Sequence, residues 1–321
     1  MATGFPSFQT VGSGFAWSST ARLTCQYLAT TPVAQKPADL YWINTVNTGS
    51  GRTEVHVLDA GSGYTTYKLH AATALALGNT DQWSFALGDA NGDGKTDVYA
   101  ISRYGNGTPN VEVHILDGST NYSTFLGHYS TGLGAVQGGL AFTFDIGDYN
   151  NDGKPDLYVF QKAGGASGHT EVHIFNGADG FSTRLLDAVM PMAPTGSDDA
   201  WEFHVAANAG NNGKPDIVAI AKQNGASTEV HVVSGSSGYT AYSLETATAL
   251  GLTGTDSKWV FGVKDYDNDG KIDLFGLNKV GTNGAEVHVL KGSAFQEYLV
   301  HAATPIGALG TDTSQTLLIN H

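Results

Sequence analysis

Three loops along the chain place acidic and amide side chains at alternate positions. They run Asp89, Asn91, Asp93, Gly94, Lys95, Asp97; then Asp148, Asn150, Asp152, Gly153, Lys154, Asp156; then Asp265, Asp267, Asp269, Gly270, Lys271, Asp273. Oxygen donors at positions 1, 3, 5 and 9, with Gly at position 6, match the first part of an EF-hand calcium loop. In a tight loop alternate side chains point into one concavity, and Gly permits the sharp turn. The Lys at position 7 would give its backbone carbonyl and leave its ammonium in solvent. An all-oxygen set with three or four carboxylates selects a hard cation, Ca²⁺, over zinc or copper. About three structural Ca²⁺ are expected. No flanking helices are visible, so these are not EF-hands.

Two related loops are degenerate. One reads Asn208, Gly210, Asn212, Gly213, Asp216, and the earliest keeps only Asp39. No tight metal is expected at either.

A second set of chemically capable residues alternates along five short runs: Glu54/His56, Glu112/His114, Glu171/His173, Glu229/His231 and Glu286/His288. Two apart on a strand, each pair shares one face. It could contact a ligand between blades or form a polar ladder that holds register. One His and one carboxylate per run fall short of the three or four ligands of a zinc site. Trp83, Trp201 and Trp259, with Trp17 and Phe142, open related segments. They offer flat faces on which sugars stack, or else core packing. Tyr64, Tyr67, Tyr122, Tyr239 and Tyr242 are expected to be exposed and carry the same ambiguity.

These residues recur because the chain recurs. The five Glu are 58, 59, 58 and 57 residues apart. Each copy carries four extended segments, as in WSFALGD, DVYAISR, VEVHILD and NYSTFLGH of the second. The segments are short, rich in β-branched and aromatic residues, alternate with period two, and end at Gly, Asn or Asp. Four strands per repeat at this period is the blade of a β-propeller. The fold expected is all-β: one domain over 1–321, with five four-stranded blades, six being the alternative. FAWSSTA is read as the opening strand of the first copy. FPSFQT resembles a fourth strand and TLLINH a first strand, so terminal strands are expected to close the ring. Small residues in the first strands, Ala86, Gly88 and Gly262, suit the crowded strand nearest the axis.

Composition agrees. Gly supplies 42 of 321 residues, and charged residues are 14%, as expected of many strands joined by tight turns. The formal charge of −14 argues against nucleic acid or an anionic membrane as partner. No apolar run is long enough for membrane insertion. The single Cys25 excludes an internal disulfide. Localisation is conflicted. Calcium loops and glycosylation sequons at Asn106 and Asn121 fit a secreted chain, whereas MATGFPSFQT shows no signal peptide.

Strand–DxDxDGxxD–strand units at this period resemble FG-GAP or VCBS repeats, the propeller repeats of integrin α-subunits. TEVHVL followed by GYTTYKL is also similar to repeats appended to secreted cell-wall hydrolases, and calcium-loop propellers occur among lectins. The resemblance implies a propeller in which calcium ties the first hairpin of each blade. Function is expected to be multivalent carbohydrate binding through Glu54, His56, Glu112, His114, Glu171, His173, Glu229, His231, Glu286, His288, Trp83, Trp201 and Trp259. Weak sites repeated around a ring gain avidity. Catalysis is not expected, because every candidate acid and base is repeated, whereas a catalytic centre is asymmetric. An integrin-like protein-binding propeller and a polysaccharide-active enzyme are the alternatives.

Overall fold

The computed structural model describes residues 38–320 except 79–80, 106, 137–138, 207–212, 224 and 312–313. These residues lie in one compact unit, Gln35–His321. FPSFQT, FAWSSTA, Trp17 and the side chains of the Asn208–Asn212 loop fall outside the described residues.

The described residues form twenty strands; third and outermost strands alternate between buried and more exposed residues, whereas second strands such as DVYAIS are buried on both faces. The first blade contains β1 (Leu40–Asn44), β2 (Arg52–Leu58) and β3 (Tyr67–Ala76). The second has β4 (Trp83–Gly88), β5 (Asp97–Ser102), β6 (Asn110–Leu116) and β7 (Phe125–Gly134). The third has β8 (Phe142–Gly147), β9 (Asp156–Gln161), β10 (Glu171–Phe175) and β11 (Arg184–Val189). The fourth has β12 (Trp201–Ala206), β13 (Asp216–Ala221), β14 (Glu229–Val233) and β15 (Tyr242–Ala247). The fifth has β16 (Trp259–Lys264), β17 (Asp273–Gly281), β18 (Gly284–Leu290) and β19 (Tyr298–Ala303). A last strand, β20 (Gln315–Ile319), is the innermost strand of the first blade, in the order β20-β1-β2-β3.

This is a five-bladed propeller of four-stranded antiparallel sheets, which decides five blades against six. It also corrects one assignment. The innermost position of the first blade is filled by the late segment, with Leu40 opposite Ile319 and Trp42 opposite Leu317, rather than by FAWSSTA. Pairing β1 with β20 hides an edge that would otherwise offer unpaired backbone groups.

The innermost strands touch round the ring, β20 to β4, β8, β12, β16 and back to β20. Their crowding explains the small residues. A Cβ on Gly88 would lie 2.5 Å from Ile146 Cδ1, and one on Gly147 2.4 Å from Val205 Cγ1. Each sheet buries both faces against its neighbours. Ile43, Val55 and Val57 of the first blade pack on Phe85, Leu87 and Val98 of the second. Tyr99, Ile101 and Val113 on the other face of the second meet Phe144, Ile146 and Val159 of the third. Full burial of each such side chain contributes roughly 1.5–3 kcal/mol.

In the first four blades the third strand is followed by a one-turn helix capped by a left-handed residue, then by an aromatic that is also left-handed, Tyr64, Tyr122, Phe181 and Tyr239; in the fifth a turn leads to the left-handed Phe295, and φ of the five aromatics lies between 55° and 65°. All five rings are buried. Tyr64, Tyr122 and Tyr239 are therefore not exposed, as their polar neighbours suggested. Their hydroxyls donate to the carbonyls of Ala38, Thr96 and Pro215, each at 3.0 Å. No helix among the described residues is long and apolar enough to cross a membrane.

Candidate functional site

The three Asp loops each join the first and second strands of a blade. In the second blade the position-1 carboxylate folds the loop round itself. Asp89 accepts from the backbone N–H of Gly92, Asp93 and Gly94 at 2.8, 3.1 and 2.8 Å. Asp148 and Asp265 do the same for Gly153 and Gly270, both at 2.9 Å. The position-3 oxygens of Asn91, Asn150 and Asp267 accept from the position-5 N–H. The position-5 carboxylates of Asp93, Asp152 and Asp269 accept from the N–H of Lys95, Lys154 and Lys271. In the fifth blade, carboxylate oxygens of Asp265, Asp267 and Asp269 lie within 4.8 Å of one another. That donor set, hard oxygens on a pre-shaped loop, fits Ca²⁺. The Lys291 ammonium sits against Asp267 and 3.4 Å from Asp269, a cation already drawn to the same carboxylates.

The position-9 carboxylates have a different neighbourhood. Asp97, Asp156 and Asp273 are fully buried. Each accepts from the N–H of loop position 2 (Ala90, Tyr149, Tyr266) and from the first N–H of the turn after the third strand (Gly118, Gly177, Gly292), at 2.6–2.9 Å. Burial pushes all three carboxyls up, Asp156 to about 6, although the N–H groups pull the other way. The degenerate blades keep the same residue and the same bond, through Asp39 to Ala60 N and Asp216 to Gly235 N. The bond from this Asp to the turn after the third strand is thus present in all five blades, with or without a full set of loop oxygens. Lys154 departs from the expectation of a free ammonium, because its Nζ donates to the Ala90 carbonyl in the neighbouring blade at 3.2 Å.

The Glu–His pairs lie side by side on the third strands. His Nε2 is 3.4, 3.2, 3.7, 3.4 and 3.4 Å from the Glu carboxylate in blades one to five. Aromatic rings flank the imidazoles: Trp42 by His56, Trp83 by His114, Trp201 by His231 and Trp259 by His288, with centroids 4.4–5.4 Å apart. Tyr67, Phe125, Tyr242 and Tyr298 stand on the other side at 5.8–6.4 Å. The Trp are part-buried, neither wholly core nor open platforms. A third polar group, invisible to repeat counting, faces each His from the fourth strand: His70, His128, Asp187, Glu245 and His301.

Sequence reasoning missed the end of the axial channel where the first strands begin. Arg103, Lys162, Lys222 and Lys279 occupy one repeat position after or at the end of the second strand, and all are buried. Lys162 Nζ donates to the carbonyls of Asp198 and Trp201 at 2.7 and 2.9 Å, and Lys222 Nζ to that of Trp259 at 2.8 Å. Burial pulls the Lys162 ammonium down to about 8 against the attraction of Asp199 and Glu202. Lys222 also pairs with Asp199 at 2.6 Å and Glu202 at 2.8 Å. Burial opposes ionisation of Glu202, but the Lys222 charge, with His204 close by, wins and holds it at about 2. His204 lies 3.7 Å from Glu202 and 3.9 Å from Asp145. Asp199, Glu202 and His204 line a cavity of about 190 Å³ with Thr143, Ser257 and Thr316. The basic positions could have been found by aligning the second strands. Asp145, Glu202 and His204 could not, since no other blade repeats them.

With this geometry established, comparison places the molecule. Residues 89–159, from the first Asp loop into β9, match the FG-GAP-like repeat family. The chain thus carries an FG-GAP-like repeat within a five-bladed β-propeller. A 77-residue stretch is 36% identical to mouse (Mus musculus) integrin alpha-IIb, covering 24% of this chain and 8% of that relative. Among solved structures, the catalytic domain of a Coprinopsis cinerea GH62 alpha-L-arabinofuranosidase is similar at TM-score 0.44 and 11% identity, over 71% of this chain and 76% of that one. BBS1N, from its complex with ARL6DN, is similar at TM-score 0.36 and 12% identity, over 72% and 60%. At these scores neither assigns an activity. The expectation that the chain is not an enzyme is withdrawn. Its ground, that every acid and base repeats, fails at Asp145, Glu202 and His204.

Proposed function

We propose that this propeller binds carbohydrate at its repeated blade faces and holds calcium in its Asp loops. The observation that carries the reading is the recurrence of one arrangement in four blades. A carboxylate and an imidazole lie two apart on the third strand, between a Trp and a Tyr or Phe. Sugars call for this combination, hydrogen-bonding groups for hydroxyls beside an aromatic surface for C–H faces. Calcium, when bound, supplies the charge that neutralises the position-1, -3 and -5 oxygens and stiffens the first hairpin. The residues that would hold it are Asp89, Asn91 and Asp93; Asp148, Asn150 and Asp152; and Asp265, Asp267 and Asp269.

The test is a glycan array in calcium buffer, with red-cell agglutination alongside. Binding that weakens at least tenfold in Trp259→Ala and Glu286→Gln supports the reading; an empty array with no agglutination overturns it. A protein-binding propeller is the second reading, favoured by the stretch similar to an integrin α-subunit. Capture of a protein partner that competing sugars do not disturb would favour it.

A further inference from the structure

Counting along the third strand alone gave too few ligands for a transition metal. The fourth strand changes that count. In three blades the residue directly opposite the repeated His is a second His: His56 faces His70, His114 faces His128, and His288 faces His301. In the other two an acid takes the place, Asp187 opposite His173 and Glu245 opposite His231.

We infer that Glu286, His288 and His301 form a binding site for a late first-row divalent cation, Zn²⁺ being the ion tested. The Asp loops are separate from this site, and the inference does not rest on carbohydrate binding.

Ligand atoms of Glu286, His288 and His301 all lie within 4.8 Å of one another. In the first and second blades the imidazoles are instead hydrogen-bonded to each other, Nδ1 to Nδ1, at 2.8 Å for His56 and His70 and 2.6 Å for His114 and His128, while Nε2 faces the Glu, so their ligand atoms do not converge on one point. Nε2 of His288 is buried without a hydrogen bond, although a Glu286 oxygen is 3.4 Å away. Two imidazoles and one carboxylate suit zinc and its neighbours rather than Ca²⁺, and such a set leaves a further position for water or a bound group. The blades with Asp187 and Glu245 satisfy their His differently, at 2.5 and 3.2 Å from a carboxylate, and are built-in controls.

The experiment uses the full tag-free chain, stripped with chelator and returned to buffer with excess Ca²⁺ so that the loops are filled. Calorimetric titration with Zn²⁺ is expected to give one site per chain that is lost in His301→Gln. His301 is exposed on the outermost strand, so this change should leave the far-ultraviolet circular dichroism unaltered. As a measurement needing no variant, imidazole NMR signals of His288 and His301 should move on adding Zn²⁺ while those of His173 and His231 stay. Zn²⁺ stoichiometry unchanged in His301→Gln, equal shifts at His173 and His231, or no binding by 100-fold excess metal would overturn the inference.

Discussion

The blade faces and the axial channel follow opposite rules. On the faces one solution is copied: Asp97, Asp156, Asp216 and Asp273 each clamp the same turn, and Glu–His pairs recur in all five blades. At the axis the buried bases Arg103, Lys162, Lys222 and Lys279 share one position, but the acids beside them do not, so Asp145, Glu202 and His204 meet once. Repetition makes a position both legible and buffered, because losing one copy leaves four. A group assembled once has no substitute, and its balance rests on single residues.

The largest effect should therefore come from Lys222. Its removal strands Asp199 and Glu202 beside each other, and breaking a buried pair costs about 3–5 kcal/mol. Urea unfolding of Lys222→Ala should read that loss, and Lys222→Met combined with Asp199→Asn and Glu202→Gln should recover much of it. A Lys222→Ala loss under 1 kcal/mol would erase the contrast between axis and faces.

Glu202 sharpens the same contrast through pH. Its carboxyl is held at about 2, below the ordinary 4.5. A depressed carboxyl stabilises the fold above its unfolded value, and that contribution is lost as pH falls from 4.5 through 2. Glu202→Gln should cost about 3 kcal/mol at pH 7 and progressively less towards pH 2. Parallel pH curves for the two proteins would refute it.

Chelation tests the faces as a set. An ion at 100 times its Kd adds about 2.7 kcal/mol per site, so stripping calcium should lower Tm by several degrees. Asp265→Ala should remove about a third of that drop. A Tm indifferent to chelator would leave the loops as hydrogen-bonded turns. The smallest effect belongs to one copy of a repeated clamp. Tyr122→Phe removes the bond to the Thr96 carbonyl and should cost about 1 kcal/mol by chemical denaturation.

The same division explains what could be read from residue order. Period, strand count and the oxygen donors of the Asp loops are local patterns, and the structure places them in five equivalent frames. The role of Asp97 was not readable, because its partner Gly118 belongs to a turn one strand later. Tyr64 and Tyr239 read as surface residues since their neighbours are Gly, Ser and Thr. Only the left-handed turn folds their rings inward. The residue that faces each repeated His lies a strand away, so His301 gains meaning only through its register with His288.

The pairing of β1 with β20 sets a limit on how the ring assembles. Trp42 Nε1 donates to the Gln315 side chain across 273 residues of chain. Blades two to five can each form from contiguous sequence, whereas the first must hold an open strand edge until all the others have been made. Contacts so far apart in sequence are slow to form, and an unpaired edge invites other chains in the meantime. Closure is thus the late, concentration-sensitive event in the life of this molecule, and dilute refolding should outperform concentrated refolding for that reason alone.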